Sequence, residues 1–168
     1  MLRSWNGRIA RAAAMAALVI AISSPASAQE ISGRASVIDG DTIEIRGQRI
    51  RFDGIDAPEA RQRCEDASGK VYRCGRVSAD ALDAFLAKSR PTSCEITGKS
   101  WDRLVGHCRR ADGSDVNRWM VQQGHAIDWP KYSRGRYASD QAQARSAGRG
   151  LWAGRFEWPC VIRGAKCE

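Results

Sequence analysis

The sequence is short of the residues that build several common kinds of site. It has only two histidines, His107 and His125, and neither stands at a metal-ligand spacing. An imidazole-based metal centre therefore has no support, and both rings read as structural. No C-x-x-C occurs, which removes the zinc ribbon and the thioredoxin-like redox site. Internal repeats and low-complexity stretches are absent, and the 168 residues suffice for one domain with a real core. A hydrophobic fraction of 43% and a charged fraction of 27% are ordinary for a globular chain and exclude a disordered or multi-span membrane protein. Lysine is scarce, supplying 5 of the 27 cationic residues. Arginine grips phosphate oxygens bidentately, so this bias suits a phosphate ligand, although genomic composition explains it as well.

Long apolar runs are also missing. The one candidate, Ala12–Ile22, is eleven residues without a polar side chain, preceded by Arg3, Arg8 and Arg11. As a helix it would reach about 17 Å, too short for a hydrocarbon core of about 30 Å. Ser23, Ser24 and Pro25 break it, and Ala26-Ser27-Ala28 follows as a small-x-small cleavage pattern. Residues 1–28 are thus expected to be a cleaved export signal, with no membrane attachment afterwards and a bacterial periplasmic or extracellular destination. Cleavage before Gln29 would lower the formal charge from +8 to +5, still basic. All six cysteines lie beyond the cut, as befits disulfides in an exported protein. Six cysteines allow 15 pairings. Sequence-local pairing is expected: Cys64–Cys74, Cys94–Cys108 and Cys160–Cys167. Cys94 and Cys108 are symmetric about Trp101, as facing positions on two antiparallel strands would be.

Ile31–Ile38 reads as a first strand. Thr42–Arg46 and Arg49–Phe52 alternate apolar and polar residues across a short Gly47-Gln48 link, which predicts a hairpin. Gly54–Gly75 reads as a long loop. Val77, Ala81, Leu82, Phe85 and Leu86 share one face of a helix over about Arg76–Lys88. Strands follow at Cys94–Thr97 and Leu104–Arg109. Asp115 is placed to cap a helix Val116–Gln123 that Gly124 ends, and a last helix spans about Ala138–Ala147. Periodicity leaves several small α+β folds open. Five strands with a helix between the third and fourth is the order of an OB-fold β-barrel. The expected architecture is therefore α+β, a five-stranded barrel with about three helices, over residues 29–159, with 160–168 as a disulfide-closed tail.

Two polar clusters interrupt this pattern. Asp39-Gly40-Asp41-Thr42 stands between strand-like segments. Arg51-Phe52-Asp53-Gly54-Ile55-Asp56-Ala57-Pro58-Glu59 runs off the third strand, with Pro58 stiffening the exit toward Glu59. Asp41 and Asp56 are expected on neighbouring strands of one hairpin sheet. Facing carboxylates repel, and a hard cation such as Ca2+, which takes carboxylate and carbonyl oxygens, removes that penalty. A cation, a third carboxylate and an arginine are what phosphodiester hydrolysis requires. Asp39 and Asp53 read as supporting or turn residues.

Ile38-Asp39-Gly40-Asp41-Thr42, Arg51 with Ile55-Asp56-Ala57-Pro58-Glu59, and Trp101-Asp102-Arg103-Leu104 resemble the three signature segments of the thermonuclease (staphylococcal-nuclease-like) family. Val121-Gln122-Gln123-Gly124 and Gly148-Arg149-Gly150-Leu151-Trp152 are similar to its C-terminal helical part. The resemblance implies an OB-fold, Ca2+-dependent nuclease cutting DNA and RNA. Carried over by position, Asp41, Asp56 and the Ala57 carbonyl would hold the metal. Glu59 would be the general base or would position the water, and Arg51 and Arg103 would hold the scissile phosphate. Trp101 and Tyr132 would meet the substrate. Ala57 stands where Thr is frequent, and Trp101-Asp102 where Tyr-Gly is frequent, which removes a phenol from beside the second arginine. A basic OB face favours single-stranded nucleic acid, and a monomer is expected. Two rival readings stand beside this one. One is a non-catalytic OB module binding nucleic acid or oligosaccharide, and the other is a phosphodiesterase acting on a non-nucleic polymer.

Overall fold

The computed structural model describes Met1 and residues 29–167. The expected export signal falls outside the described residues. The chain folds as α+β, with a six-stranded sheet in place of the five-stranded barrel. The sheet comprises β1 (Glu30–Gly33), β2 (Ala35–Asp39), β3 (Thr42–Ile45), β4 (Gln48–Phe52), β8 (Thr92–Ser100) and β9 (Arg103–Arg110), in the order β1-β8-β9-β4-β3-β2. All neighbours are antiparallel except β4 and β9.

The expected first strand is two strands, broken at Arg34. β1 pairs with β8 and β2 with β3, at opposite edges of the sheet. A single residue joins these edges, so the sheet must curl strongly, but no hydrogen-bonded ladder closes it among the described residues. The β3–β4 hairpin turns at Arg46-Gly47, one residue earlier than the expected link, with φ of 52° and 75°. Positive φ at both turn positions is the two-residue turn whose twist matches paired strands.

The long loop also contains structure. β5 (Ile55–Asp56) pairs with β10 (Ile127–Asp128), and β6 (Cys64–Glu65) with β7 (Val71–Tyr72). Two-residue strands are too short for an alternating pattern to announce them. Helix α1 (Cys74–Ala87) begins two residues before expectation and buries Ser78, Leu82, Phe85 and Leu86. Val77 is exposed, because Ser78 takes the inward place and its hydroxyl donates to the His125 carbonyl at 2.7 Å. Helices α2 (Val116–Gln122) and α4 (Ala138–Ser146) are where periodicity placed them, and Asp115 caps α2 by accepting from the Arg118 N–H at 3.0 Å. The four-residue helices α3 (Pro130–Ser133) and α5 (Pro159–Ile162) bring the α-helices among the described residues to five, against about three expected.

The core lies between the inner sheet face and α1, α2 and Tyr137. Ile43, Ile45, Ile50, Leu82, Val116 and Met120 are fully enclosed. Phe85 and Trp119 stack with ring centroids 3.9 Å apart, locking α1 to α2. The three local disulfides are all formed, and Cys94 faces Cys108 in the β8–β9 register. Each restrains the unfolded chain and pins a loop.

Candidate active site

Asp41 sits in the β2–β3 turn, not on a strand. Its N–H donates to Asp39 Oδ1 at 3.0 Å, its Oδ1 accepts from the Thr42 hydroxyl at 2.9 Å, and its Oδ2 accepts from the Ala57 N–H at 3.1 Å. Gly40 is required at this turn, since a Cβ there would lie 2.1 Å from Ser78 Oγ and 2.7 Å from Ala57 Cβ. The end of β4 is tied to the same turn by the Phe52 N–H donating to the Asp41 carbonyl at 2.8 Å. The chain then reverses at Gly54, where φ is 76°, and enters β5 opposite β10. Asp56 thereby leaves the hairpin sheet and becomes fully buried. The two aspartates meet as expected, but through a turn and a separate two-stranded ladder, not through neighbouring strands of one hairpin.

One arginine nitrogen joins them. Arg51 Nη2 lies 2.7 Å from Asp41 Oδ2 and 2.8 Å from Asp56 Oδ1. A second guanidinium, absent from the sequence-based assignment, completes the group: Arg163 Nη2 is 2.6 Å from Asp56 Oδ1, and its Nη1 is 2.5 Å from Glu59 Oε1. Even so, Asp56 Oδ2 is buried with no hydrogen-bond partner among the described residues. Burial, and then the charge of Asp41, push the Asp56 carboxyl up to about 6 against the pull of Arg163 and Arg51. Asp39 is also raised to about 6, again by burial first and Asp41 second. Glu59 is held from behind, its N–H donating to Gln62 Oε1 at 3.1 Å. Gly75 permits α1 to start against it, since a Cβ there would be 1.9 Å from the Glu59 carbonyl oxygen.

A cleft of about 300 Å3 opens beside this group, lined by Arg51, Arg103, Arg163, Trp101, Trp129 and Tyr132 among others. Arg103 enters from the start of β9 and makes no ion pair among the described residues. Trp101, at the β8–β9 turn, is 91% exposed, and Tyr132 on α3 is 52% exposed. Trp129 connects Tyr132 to the charges. Its ring meets Tyr132 edge-on at 4.6 Å, and the guanidinium carbons of Arg51 and Arg163 lie 5.8 and 5.3 Å from its centroid. Every residue assigned from the sequence to phosphate, metal or substrate therefore comes to one end of the sheet.

The remaining candidates are structural. Asp53 pairs with His107 at 3.1 Å, and that bond holds its carboxyl below the usual range. His125 packs against Trp119 at 5.6 Å. Among the described residues no group of three His, Cys, Asp or Glu side chains is gathered tightly enough to cage a metal. The donor set nevertheless fits a hard cation: two buried carboxylates share one guanidinium nitrogen, and one oxygen has no donor at all.

In the sequence Trp129 stands two residues before Lys131, and an aromatic beside a cation is only a weak signal. Arg163 has none: it is one of 22 arginines in the chain and stands in a tail that carries no motif.

Comparison with known proteins agrees with this geometry. Residues 49–154 match the family described as staphylococcal nuclease homologue. The chain is 52% identical over 138 residues to the succinoglycan biosynthesis protein ExoI of Rhizobium meliloti (strain 1021), covering 82% of this chain and 72% of that protein. It is 34% identical over 135 residues to an uncharacterized endonuclease of Escherichia coli O157:H7, covering 77% and 82%. It is 30% identical over 131 residues to endonuclease YhcR of Bacillus subtilis (strain 168), covering 69% of this chain and 11% of that much longer protein. With its signature carboxylates and arginines assembled at one cleft, the chain belongs to the staphylococcal nuclease homologue family.

Proposed function

We propose that this protein is an exported, Ca2+-dependent nuclease that hydrolyses phosphodiester bonds of DNA or RNA as a monomer. The observation that carries the reading is the shared contact of Arg51 with Asp41 and Asp56, beside a cleft that Arg103 also lines. Asp41, Asp56 and the Ala57 carbonyl would hold the cation. When bound, it supplies positive charge beside the phosphate and acidifies water. Glu59 orients the attacking water and accepts its proton at a carboxylate oxygen. Arg51 and Arg103 neutralise the charge that builds on the non-bridging oxygens as water attacks in line. Trp101 and Tyr132 offer faces on which unpaired bases stack, which favours a single strand over a duplex. No helix among the described residues is long and apolar enough to cross a membrane. Three disulfides suit an oxidising compartment.

A second reading is favoured by the relative named for succinoglycan biosynthesis: the same chemistry applied to a non-nucleic polymer. Incubation of the purified protein with single- and double-stranded DNA and RNA, in Ca2+ or in chelator, separates the readings. Ca2+-dependent products that vanish in Glu59→Gln support the nuclease. Inertness toward every nucleic acid favours the other substrate, and tight binding without products favours a module that has lost turnover.

A further inference from the structure

Arg163 lies outside the span that matches the family, in a segment built to present it. Pro159 opens α5, Cys160 is fully buried, and the Ala165 N–H returns to the Cys160 carbonyl at 2.8 Å. The Cys160–Cys167 bond closes the loop around Arg163. Gln62 docks this segment beside the site. Its Nε2 donates to the Glu157 carbonyl at 2.7 Å while its Oε1 accepts from the Glu59 N–H. The tail and the loop that bears Glu59 are thus positioned by one side chain.

The guanidinium so delivered has two of its five N–H donors engaged, on Asp56 and Glu59. It lines the cleft together with Arg51 and Arg103, and it faces the ring of Trp129 at 5.3 Å. The Trp129 indole N–H is itself buried with no acceptor among the described residues. Spare donors and a third positive charge at one cleft call for an anionic oxygen ligand. A cation on Asp56 would weaken the hold of that carboxylate on Arg163, and a phosphate in the cleft would offer a replacement.

We propose that Arg163 is a third phosphate-binding arginine of the cleft, supplied by the disulfide-closed C-terminal loop and held on Asp56 and Glu59 until a nucleic-acid backbone takes their place. This rests on the nuclease reading and adds a substrate contact to it. The test is the salt dependence of binding to a fluorescent oligothymidylate, followed by anisotropy in chelator so that cleavage is suppressed. Wild type is compared with Arg163→Gln, Arg163→Lys, Cys160→Ser/Cys167→Ser and, as a control of equal charge change on exposed α1, Arg76→Gln.

Loss of one phosphate contact on a single strand flattens the log–log salt slope by about 0.7. Arg163→Gln is expected to show that change with a several-fold weaker affinity, and Arg163→Lys an intermediate one. The double serine variant is expected to weaken binding although Arg163 is retained. Arg76→Gln is expected to match wild type. An unchanged slope, or tighter binding, in Arg163→Gln makes Arg163 a plug on the carboxylates and overturns the proposal while leaving the nuclease reading intact. Absence of both binding and cleavage in wild type overturns the two together.

Discussion

Asn117 and Asp56 are both completely buried polar residues, and the chain treats them in opposite ways. Asn117, on α2, is fully used. Its Oδ1 accepts from the Cys108 N–H at 3.1 Å, and its Nδ2 donates to the carbonyls of Asp53 at 3.1 Å and Gly106 at 3.2 Å. It stitches the helix to β9 and to the exit of β4. Asp56 shares one oxygen between two arginines and leaves the other without a partner among the described residues. A satisfied buried amide stabilises a fold. A buried carboxylate with an orphan oxygen lowers stability and is retained where a ligand completes it. The first residue thus belongs to the framework, and the second, on the proposed nuclease reading, to the site at its edge.

The sharpest division between these regions lies in activity. Glu59→Gln is expected to lower cleavage about 100- to 10,000-fold with an unchanged melting temperature, read by gel assay and circular dichroism. An active Glu59→Gln enzyme would break the assignment of the site end. In the framework the sign reverses. Asn117→Ala takes a partner from the Cys108 N–H and the Asp53 carbonyl, while the Gly106 carbonyl keeps the Asp53 N–H at 2.9 Å; it is expected to reduce stability by about 2–4 kcal/mol in urea titration, without removing any cleft residue. Asp56→Asn, by contrast, is expected to leave the chelator-treated protein no less stable, because the amide needs no counter-charge.

Ca2+ at about 100 times its dissociation constant is expected to stabilise wild type by about 2.7 kcal/mol and Asp56→Asn not at all. A melting curve of each with and without the ion decides this. The smallest effect concerns His125. Burial holds its imidazole below the ordinary 6.5, so the unfolded chain takes up the proton first as pH falls. Its contribution is complete above 6.5 and is lost as pH drops below that value. Melting temperatures measured from about pH 7.5 down to about 5.5 should fall less steeply in His125→Gln.

How far the sequence could be read depended on the range of the interaction. The α1 stripe at Leu82, Phe85 and Leu86, the Asp115 cap and the facing Cys94 and Cys108 are set by neighbours within a few turns or one hairpin, and each is visible in spacing alone. The break at Arg34 is not, because Ile31–Ile38 keeps a strand-like composition while its halves pair with segments on opposite edges. The inward Ser78 was hidden for a similar reason: its partner, the His125 carbonyl, lies 47 residues away. At the site, Asp41, Arg51, Asp56, Glu59 and Arg103 were legible because motif and order announce them. Their route together, through a turn and the β5–β10 ladder, was not.

By itself, then, the sequence determined which groups this protein has for chemistry: a run of carboxylates and arginines in fixed order, few histidines, and cysteines in neighbouring pairs. Only the tertiary structure decided that Arg163, more than a hundred residues from Asp56 along the chain, would close on that carboxylate and on Glu59. Local order encodes side-chain identity and short-range geometry. A contact between distant segments depends on how the whole sheet curls and where the disulfide-closed tail docks, and no spacing rule carries that information.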